Sequence, residues 1–265
     1  MPRSAPVGAL GLGVTAGLDA AVTRELAARC ADLGYGSLWS NDDPTAPGLE
    51  TLAHYSAGAP QLDLGVGVLP LDRYPPAQIA AEIDRRGLDP SKLWIGIGSG
   101  RLRPPLERVR EAVAELRGLL PATTRIVVGA MRREMCRLGG MLADGVLLNW
   151  MLPAQAERAR GWVQEGADAA GRTPPITALY VRVAEGPDAA QRLRDEETRY
   201  REMDVAHFAE MDVPLGAVGV AVPDRRGVVA GLAPYSTAVD LPIVRALAEP
   251  DVASLVGVAE AAAKR

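Results

Sequence analysis

The chain has 265 residues, a formal net charge of −4, 48% hydrophobic residues and 23% charged ones. That length gives room for a sizeable buried core, and the apolar share excludes long-range disorder. Charges of both signs are interspersed without a basic run, which excludes a nucleic-acid binder that works by neutralising phosphates.

The opening run Val7–Val14 is apolar, interrupted by Gly8, Gly11 and Gly13, and reads as a first strand rather than a signal peptide. Asp19 follows as a helix N-cap, with Val22, Leu26, Cys30 and Leu33 at helical spacing and Gly34 as the stop. Ser37–Ser40 is a second strand, succeeded by the loop Asn41-Asp42-Asp43-Pro44 and a short helix over Leu49–Ala57. Leu64–Leu71 is a third strand. Pro75 and Pro76 open the next helix, where proline is tolerated. Leu93–Ile97, Ile126–Val128, Val146–Leu148 and Ile176–Val183 read as strands four to seven. Helices follow them at Leu106–Leu120, Met135–Leu142, Ala154–Ala170 and the highly charged Asp188–Met203. Val239–Val244 is the eighth strand and Asp251–Ala263 the closing helix. Residues 205–236 hold further apolar pieces that this pattern does not place.

Strands alternating with helices imply a parallel sheet, and eight such units in about 250 residues imply a (β/α)8 TIM barrel with shortened loops. The expectation is a single domain over residues 1–265. Cys30 and Cys136 lie far apart without a CxxC or Cys/His neighbour, so neither a disulfide scaffold nor a metal site is expected. No stretch reaches the ~18 apolar residues of a membrane span, and the default is a soluble cytoplasmic protein without membrane or nucleic-acid partners.

Active sites of such barrels lie at the carboxyl ends of the strands. The residues found there are Thr15 to Gly17, Trp39 to Asp43, Gly67 to Leu71, Gly98 to Arg101, Gly129 to Met131, Asn149 to Met151, and Arg182 with Glu185. This set is rich in glycine and backbone and poor in catalytic side chains. It contains no histidine: His54 and His207 fall on helical segments, where a structural role is the plainer reading. HExxH, GxSxG and a strand-end lysine are all absent, which argues against zinc chemistry, serine hydrolysis and Schiff-base chemistry. A site of this kind suits a cofactor that carries its own chemistry.

Gly11-Leu-Gly13-Val-Thr-Ala16 fits the dinucleotide fingerprint G-x-G-x-x-A, with an acid after the second strand. That fingerprint needs its helix to begin on the glycines, whereas the helix here begins near Asp19. The turn Gly98-Ser99-Gly100 offers backbone N–H groups to a phosphate, or is simply a tight strand-to-helix turn.

Several segments together resemble the luciferase-like monooxygenase superfamily, and within it the branch that uses the deazaflavin F420. They are Gly34-Tyr35-Gly-Ser-Leu-Trp39-Ser40, Leu64-Gly65-Val66-Gly67-Val68-Leu69-Pro70-Leu71 with Tyr74-Pro75-Pro76, Leu93 to Gly100, and Ala143-Asp144-Gly145 to Trp150. Ala170-Gly171-Arg172 resembles the end of that family's sixth helix. The resemblance implies hydride transfer between F420, or alternatively FMN, and a small organic substrate. It places a bulge or non-prolyl cis peptide at Gly67 and Val68, with Leu69 beside them. Gly98, Ser99 and Gly100 are placed near the cofactor's chain or phosphate, and Asn149 and Trp150 on the far side. Trp39 and Trp150 could stack on the ring, or could equally be barrel-core residues. Asp42 matches an aspartate near the reactive ring, and Asp42 or Asp43 is the candidate proton carrier. Such an acid needs its pKa raised by burial or by its neighbour. Asp42–Pro44 otherwise reads as an exposed acidic turn. The chain departs from its relatives at Asp43, where they often carry histidine, and in its short fourth loop. Relatives are commonly homodimers, and a non-catalytic relative that has lost its cofactor is the other reading.

Overall fold

The computed structural model describes residues 10–203 and 205–263, so Val7 to Ala9 of the expected first strand lie outside the described residues. The strands are β1 (Gly11–Val14), β2 (Ser37–Ser40), β3 (Asp63–Pro70), β4 (Leu93–Gly98), β5 (Arg125–Gly129), β6 (Gly145–Asn149), β7 (Ile176–Glu185), β8 (Val220–Val222) and β9 (Leu241–Ala246). The helices are α1 (Ala20–Asp32), α2 (Gly48–Gly58), α3 (Pro76–Arg85), α4 (Pro105–Leu119), α5 (Arg133–Leu142), α6 (Pro153–Ala169), α7 (Ala189–Met203), α8 (Val205–Met211), α9 (Val228–Ala238) and α10 (Val252–Ala263). β1 to β7 pair in chain order, β7 pairs with β9, and β9 returns to β1, all in parallel. Eight parallel strands therefore close into a barrel inside a ring of helices, the architecture the alternating pattern predicts.

Local chemistry sets the element ends. Asp19 caps α1 by accepting from the amides of Ala21 and Val22. Pro76, Pro105 and Pro153 each stand in the first turn of a helix, where a missing N–H leaves nothing unpaired. Gly11 and Gly13 lie inside β1, six or more residues before α1 begins, so they form no phosphate-binding turn and the dinucleotide fingerprint fails. They face the barrel interior instead: a Cβ on Gly13 would stand 3.1 Å from the Tyr180 ring. The interior is filled by Trp39, Trp94, Val127, Leu147, Ala178, Tyr180, Leu241 and Ile243. Trp39 and Tyr180 meet edge to face at 6.4 Å. Glycines on the facing strands make room for these rings, as at Gly65, whose Cβ would stand 2.3 Å from the Trp39 ring.

The seventh unit departs from the expected pattern. The charged helix α7 buries only Ala189, Leu193 and Glu197, too narrow a face for a barrel crossover helix. That position is taken by α9, which buries Val228, Leu232, Tyr235 and Ala238 and packs between α6 and α10. α7, α8 and β8 form an excursion between β7 and α9. β8 extends the sheet along Val183–Glu185, beyond the point where β6 ends at Tyr180. The loop after β7 is thus long, not shortened. Glu197 ties the excursion together: its buried carboxylate accepts from Arg201 at 2.6 and 2.8 Å and from the Gly216 amide at 2.9 Å.

Cys30 and Cys136 are buried and unpaired, and burial pushes each thiol up to about 12. Among the described residues no helix is long and apolar enough to cross a membrane.

Candidate active site

β3 does not run evenly past β4. Val66 pairs with Ile95 and Leu69 with Ile97, so an extra residue is accommodated on β3 between them. The Gly67–Val68 peptide in this bulge is cis, at the two positions singled out by the resemblance. Three glycines on the neighbouring strands leave space for the bulged segment. A Cβ on Gly96 would stand 2.3 Å from the Val66 carbonyl oxygen. Cβ atoms on Gly98 and Gly129 would stand 3.0 and 2.7 Å from the Val68 methyls. The Val68 side chain is thereby laid across the carboxyl ends of β4 and β5.

Beside it opens a cavity of about 710 Å³ at the carboxyl ends of β3 to β7. This volume lies within the range of small-molecule and cofactor sites. One wall is apolar, built from Val68, Ala130, Met131, Met135, Leu106 and Leu147. The turn Gly98-Ser99-Gly100 borders it, with Gly100 at φ +57°. Arg103 and Arg132 stand on the rim, and Asn149 and Tyr180 form the polar base. Tyr180 donates its hydroxyl to the Ser40 carbonyl at 3.3 Å.

Of the residues expected from sequence, Gly67, Val68, Gly98, Ser99, Gly100 and Asn149 all border this cavity. The others lie elsewhere. Trp39 is enclosed in the barrel interior, its Nε1 donating to Ser37 Oγ at 2.9 Å. Leu69 points into the layer between strands and helices. Trp150 is buried beneath the excursion, packed on Tyr200 and Phe208 at centroid distances of 5.0 and 5.7 Å.

The two aspartates do not reach the cavity either. The Asp42 carboxylate is 0% exposed and accepts from the Gly48 amide at 2.9 Å, Tyr74 hydroxyl at 3.1 Å and Arg73 Nη2 at 2.6 Å. Burial raises its pKa, while the Gly48 amide, Arg73 and Tyr74 pull it back down. Its partners come from the loop after β3 and the start of α2, so it fastens the loops of β2 and β3 to each other. Asp43 lies in the surface turn and accepts from the Thr45 amide at 2.9 Å and hydroxyl at 2.6 Å, which lowers its pKa.

The fold brings three further residues to the cavity, Arg103, Arg132 and Tyr180, and sets Arg182, already noted at the end of strand seven, behind it. Arg103 and Arg132 belong to loops whose course depends on the following helix. Tyr180 and Arg182 are alternate residues of β7 and both face inward, a period-2 signal that marking the inward face would have recovered. Arg182 is 2% exposed, and its guanidinium lies 3.9 Å from the Trp150 ring centre. Burial lowers its pKa to about 10. Its register partner on β9 is Arg245, 4% exposed, which donates to Thr15 Oγ1 at 3.0 Å and Asn41 Oδ1 at 3.2 Å. Among the described residues, no group of three His, Cys, Asp or Glu side chains could hold a metal ion.

No family model matches the sequence. The fold is shared with solved structures across nearly the whole chain. An F420-dependent secondary alcohol dehydrogenase, solved with an F420–acetone adduct, matches with a TM-score of 0.78 at 14% identity, over 96% of this chain and 98% of that one. An F420-dependent tetrahydromethanopterin reductase from Methanopyrus kandleri matches with a TM-score of 0.71 at 17% identity, over 98% of each chain. The oxygenating constituent of 3,6-diketocamphane monooxygenase from Pseudomonas putida, solved with FMN, matches with a TM-score of 0.66 at 14% identity, over 98% of each chain. At these identities the likeness is one of fold.

Proposed function

We propose that this chain is a luciferase-like oxidoreductase that transfers a hydride between the deazaflavin F420 and a small organic substrate. The observation that carries this reading is the cavity itself, lined by a bulged β3, by an apolar wall, and by a glycine-rich turn together with two arginines. These residues fit a planar ring that carries a phosphate chain. Val68, Met131 and Leu147 would pack against the ring, and Arg103, Arg132 and the 98–100 turn would hold the phosphate. When bound, F420 supplies the hydride-accepting ring. The protein supplies orientation and an apolar wall that excludes water. FMN fits the same description, and fold relatives of both cofactor types support either.

A fluorescence titration of the purified chain with F420, FMN and NADP in parallel tests the reading. Micromolar or tighter binding of F420 is the expected result. Binding of FMN alone redirects the function to flavin-dependent oxygen chemistry, and binding of none overturns it.

Asp42 enters this proposal as an anchor, not as the proton carrier. Asp42→Asn removes the charge facing Arg73 and one of the acceptor sites shared by three donors. Because Arg73 is 30% exposed, water covers part of that loss. The expected destabilisation is about 2 kcal/mol, a fall of roughly 4–8 °C in melting temperature. Turnover of the folded variant is expected within about threefold of the parent. A loss of a hundredfold or more in kcat with the fold intact would return Asp42 to the chemistry.

A further inference from the structure

The base of the cavity has a fixed hydrogen-bonding sense. Asn149 ends β6 in register with Tyr180, and Arg182 stands two residues further along β7. A guanidinium carries donors only, so the group it meets must accept. Arg182 Nη1 donates to Asn149 Oδ1, and also reaches the Tyr180 carbonyl at 3.4 Å. The oxygen of the Asn149 amide is therefore committed to β7, and its NH2 is the edge left for the cavity.

Arg182 has little freedom to release that oxygen. It is stacked on Trp150 and lies 5.0 Å from the Tyr200 ring centre. Its Nε has no partner, and neither does Nη1 of the register-paired Arg245. Among the described residues neither guanidinium forms a salt bridge with a carboxylate, so these two buried cations on adjacent strands depend on neutral electron-rich groups, the Trp150 and Tyr200 rings and the oxygens of Asn149, Thr15 and Asn41.

We propose that Asn149, oriented by Arg182, is the subsite for an electron-rich acceptor atom of the bound ligand. The class is a ring carbonyl oxygen, or a ring nitrogen that takes up negative charge when the ring is reduced. Arg182 is the positioning residue. The inference rests on the flavin or deazaflavin reading above and adds to it the polarity of the contact and the residue that sets it.

The test compares the wild-type chain with Asn149→Asp, Asn149→Leu and Arg182→Met, titrated with F420 and with FMN. Melting temperatures and the midpoint potential of the bound cofactor are measured on the same samples. Asn149→Asp has the shape of the parent and keeps an acceptor for Arg182, but offers the cavity only lone pairs. It is expected to bind on the order of 10–100-fold more weakly, with a lower potential for the bound cofactor. Its melting temperature is expected to equal or exceed that of the wild type, since Arg182 gains a counter-ion. Asn149→Leu, neutral and without a donor, is expected to lose about tenfold in affinity. Arg182→Met, which frees the amide to turn over, is expected to lose about threefold to tenfold.

Wild-type affinity in Asn149→Asp overturns the proposal and leaves the proposed function standing. Retained affinity in Asn149→Leu also overturns it, because the effect of Asp would then be simple repulsion. If the wild type binds neither cofactor, the proposed function fails and the ligand half of this inference fails with it. A melting temperature of Asn149→Asp well below the wild type overturns the Arg182–amide arrangement in any of these cases.

Discussion

Gly166→Ala is expected to lower the melting temperature by roughly 6–12 °C, while Gly161→Ala, one and a half turns earlier in the same helix, raises it by about 2–3 °C. Both glycines lie in α6. A Cβ on Gly161 would meet nothing within 4 Å. That substitution therefore only removes the entropic penalty of glycine in a helix, about 0.5–1 kcal/mol. A Cβ on Gly166 would stand 2.0 Å from the carbonyl oxygen of Arg137 in α5. The contact is reciprocal, because a Cβ on Gly140 of α5 would stand 2.1 Å from the Val163 carbonyl oxygen in α6. The obstacle is backbone, so no rotamer change relieves it, and the two helices must separate. Opening a packed interface in this way costs about 3 kcal/mol. Thermal denaturation of the two variants in parallel is the measurement. Equal melting temperatures would mean that α5 and α6 do not pack backbone to backbone.

Gly96→Ala is expected to weaken cofactor binding by at least about tenfold, with a loss of about 1–3 kcal/mol in stability. Gly96 sits at the middle of β4, and its Cβ would stand 2.3 Å from the Val66 carbonyl oxygen and 3.3 Å from Gly67 Cα. The added methyl therefore pushes on the β3 bulge, whose far side is the cavity wall. Gly118→Ala in α4, where nothing lies within 4 Å of the new Cβ, is the control that leaves binding unchanged. Titration with F420 and FMN together with thermal denaturation separates the two effects. Unchanged affinity with a lowered melting temperature would detach the bulge from the binding site.

The glycines explain how much of the site was legible. Gly65, Gly67, Gly96 and Gly98 stand at alternate positions of two adjacent strands, a pattern visible before any fold is known. Read together with the barrel, it marks the place where interior rings and a bulged backbone need room. The six residues that border the cavity, Gly67, Val68, Gly98, Ser99, Gly100 and Asn149, lie at a strand terminus or within three residues of one. Position along a strand puts them at the carboxyl ends where the cavity opens. Trp39, Trp150 and the two aspartates also lie at strand ends, yet the fold turns them elsewhere. Which way a residue faces after a strand ends is decided by loop geometry, and Trp150 shows the effect with a φ of +50°. The same holds for Asp42, whose carboxylate is captured by Arg73 and Tyr74, some thirty residues away in sequence.

The order of strands and helices, the barrel and the helix caps follow from short-range chemistry. Periodicity of apolar residues, proline in first turns and Asp19 at a cap act within a few residues, so a single chain displays them openly. The excursion of α7, α8 and β8, the role of α9 as crossover helix and the pairing of Arg182 with Asn149 arise from contacts between distant segments. A charged helix and an apolar one both satisfy local rules. Only competition for the groove between α6 and α10 selects α9, because it alone carries the apolar face that the barrel must cover. In the same way, nothing near Asn149 in the chain states which edge of its amide faces the cavity. A buried guanidinium on the neighbouring strand does, because it can only donate.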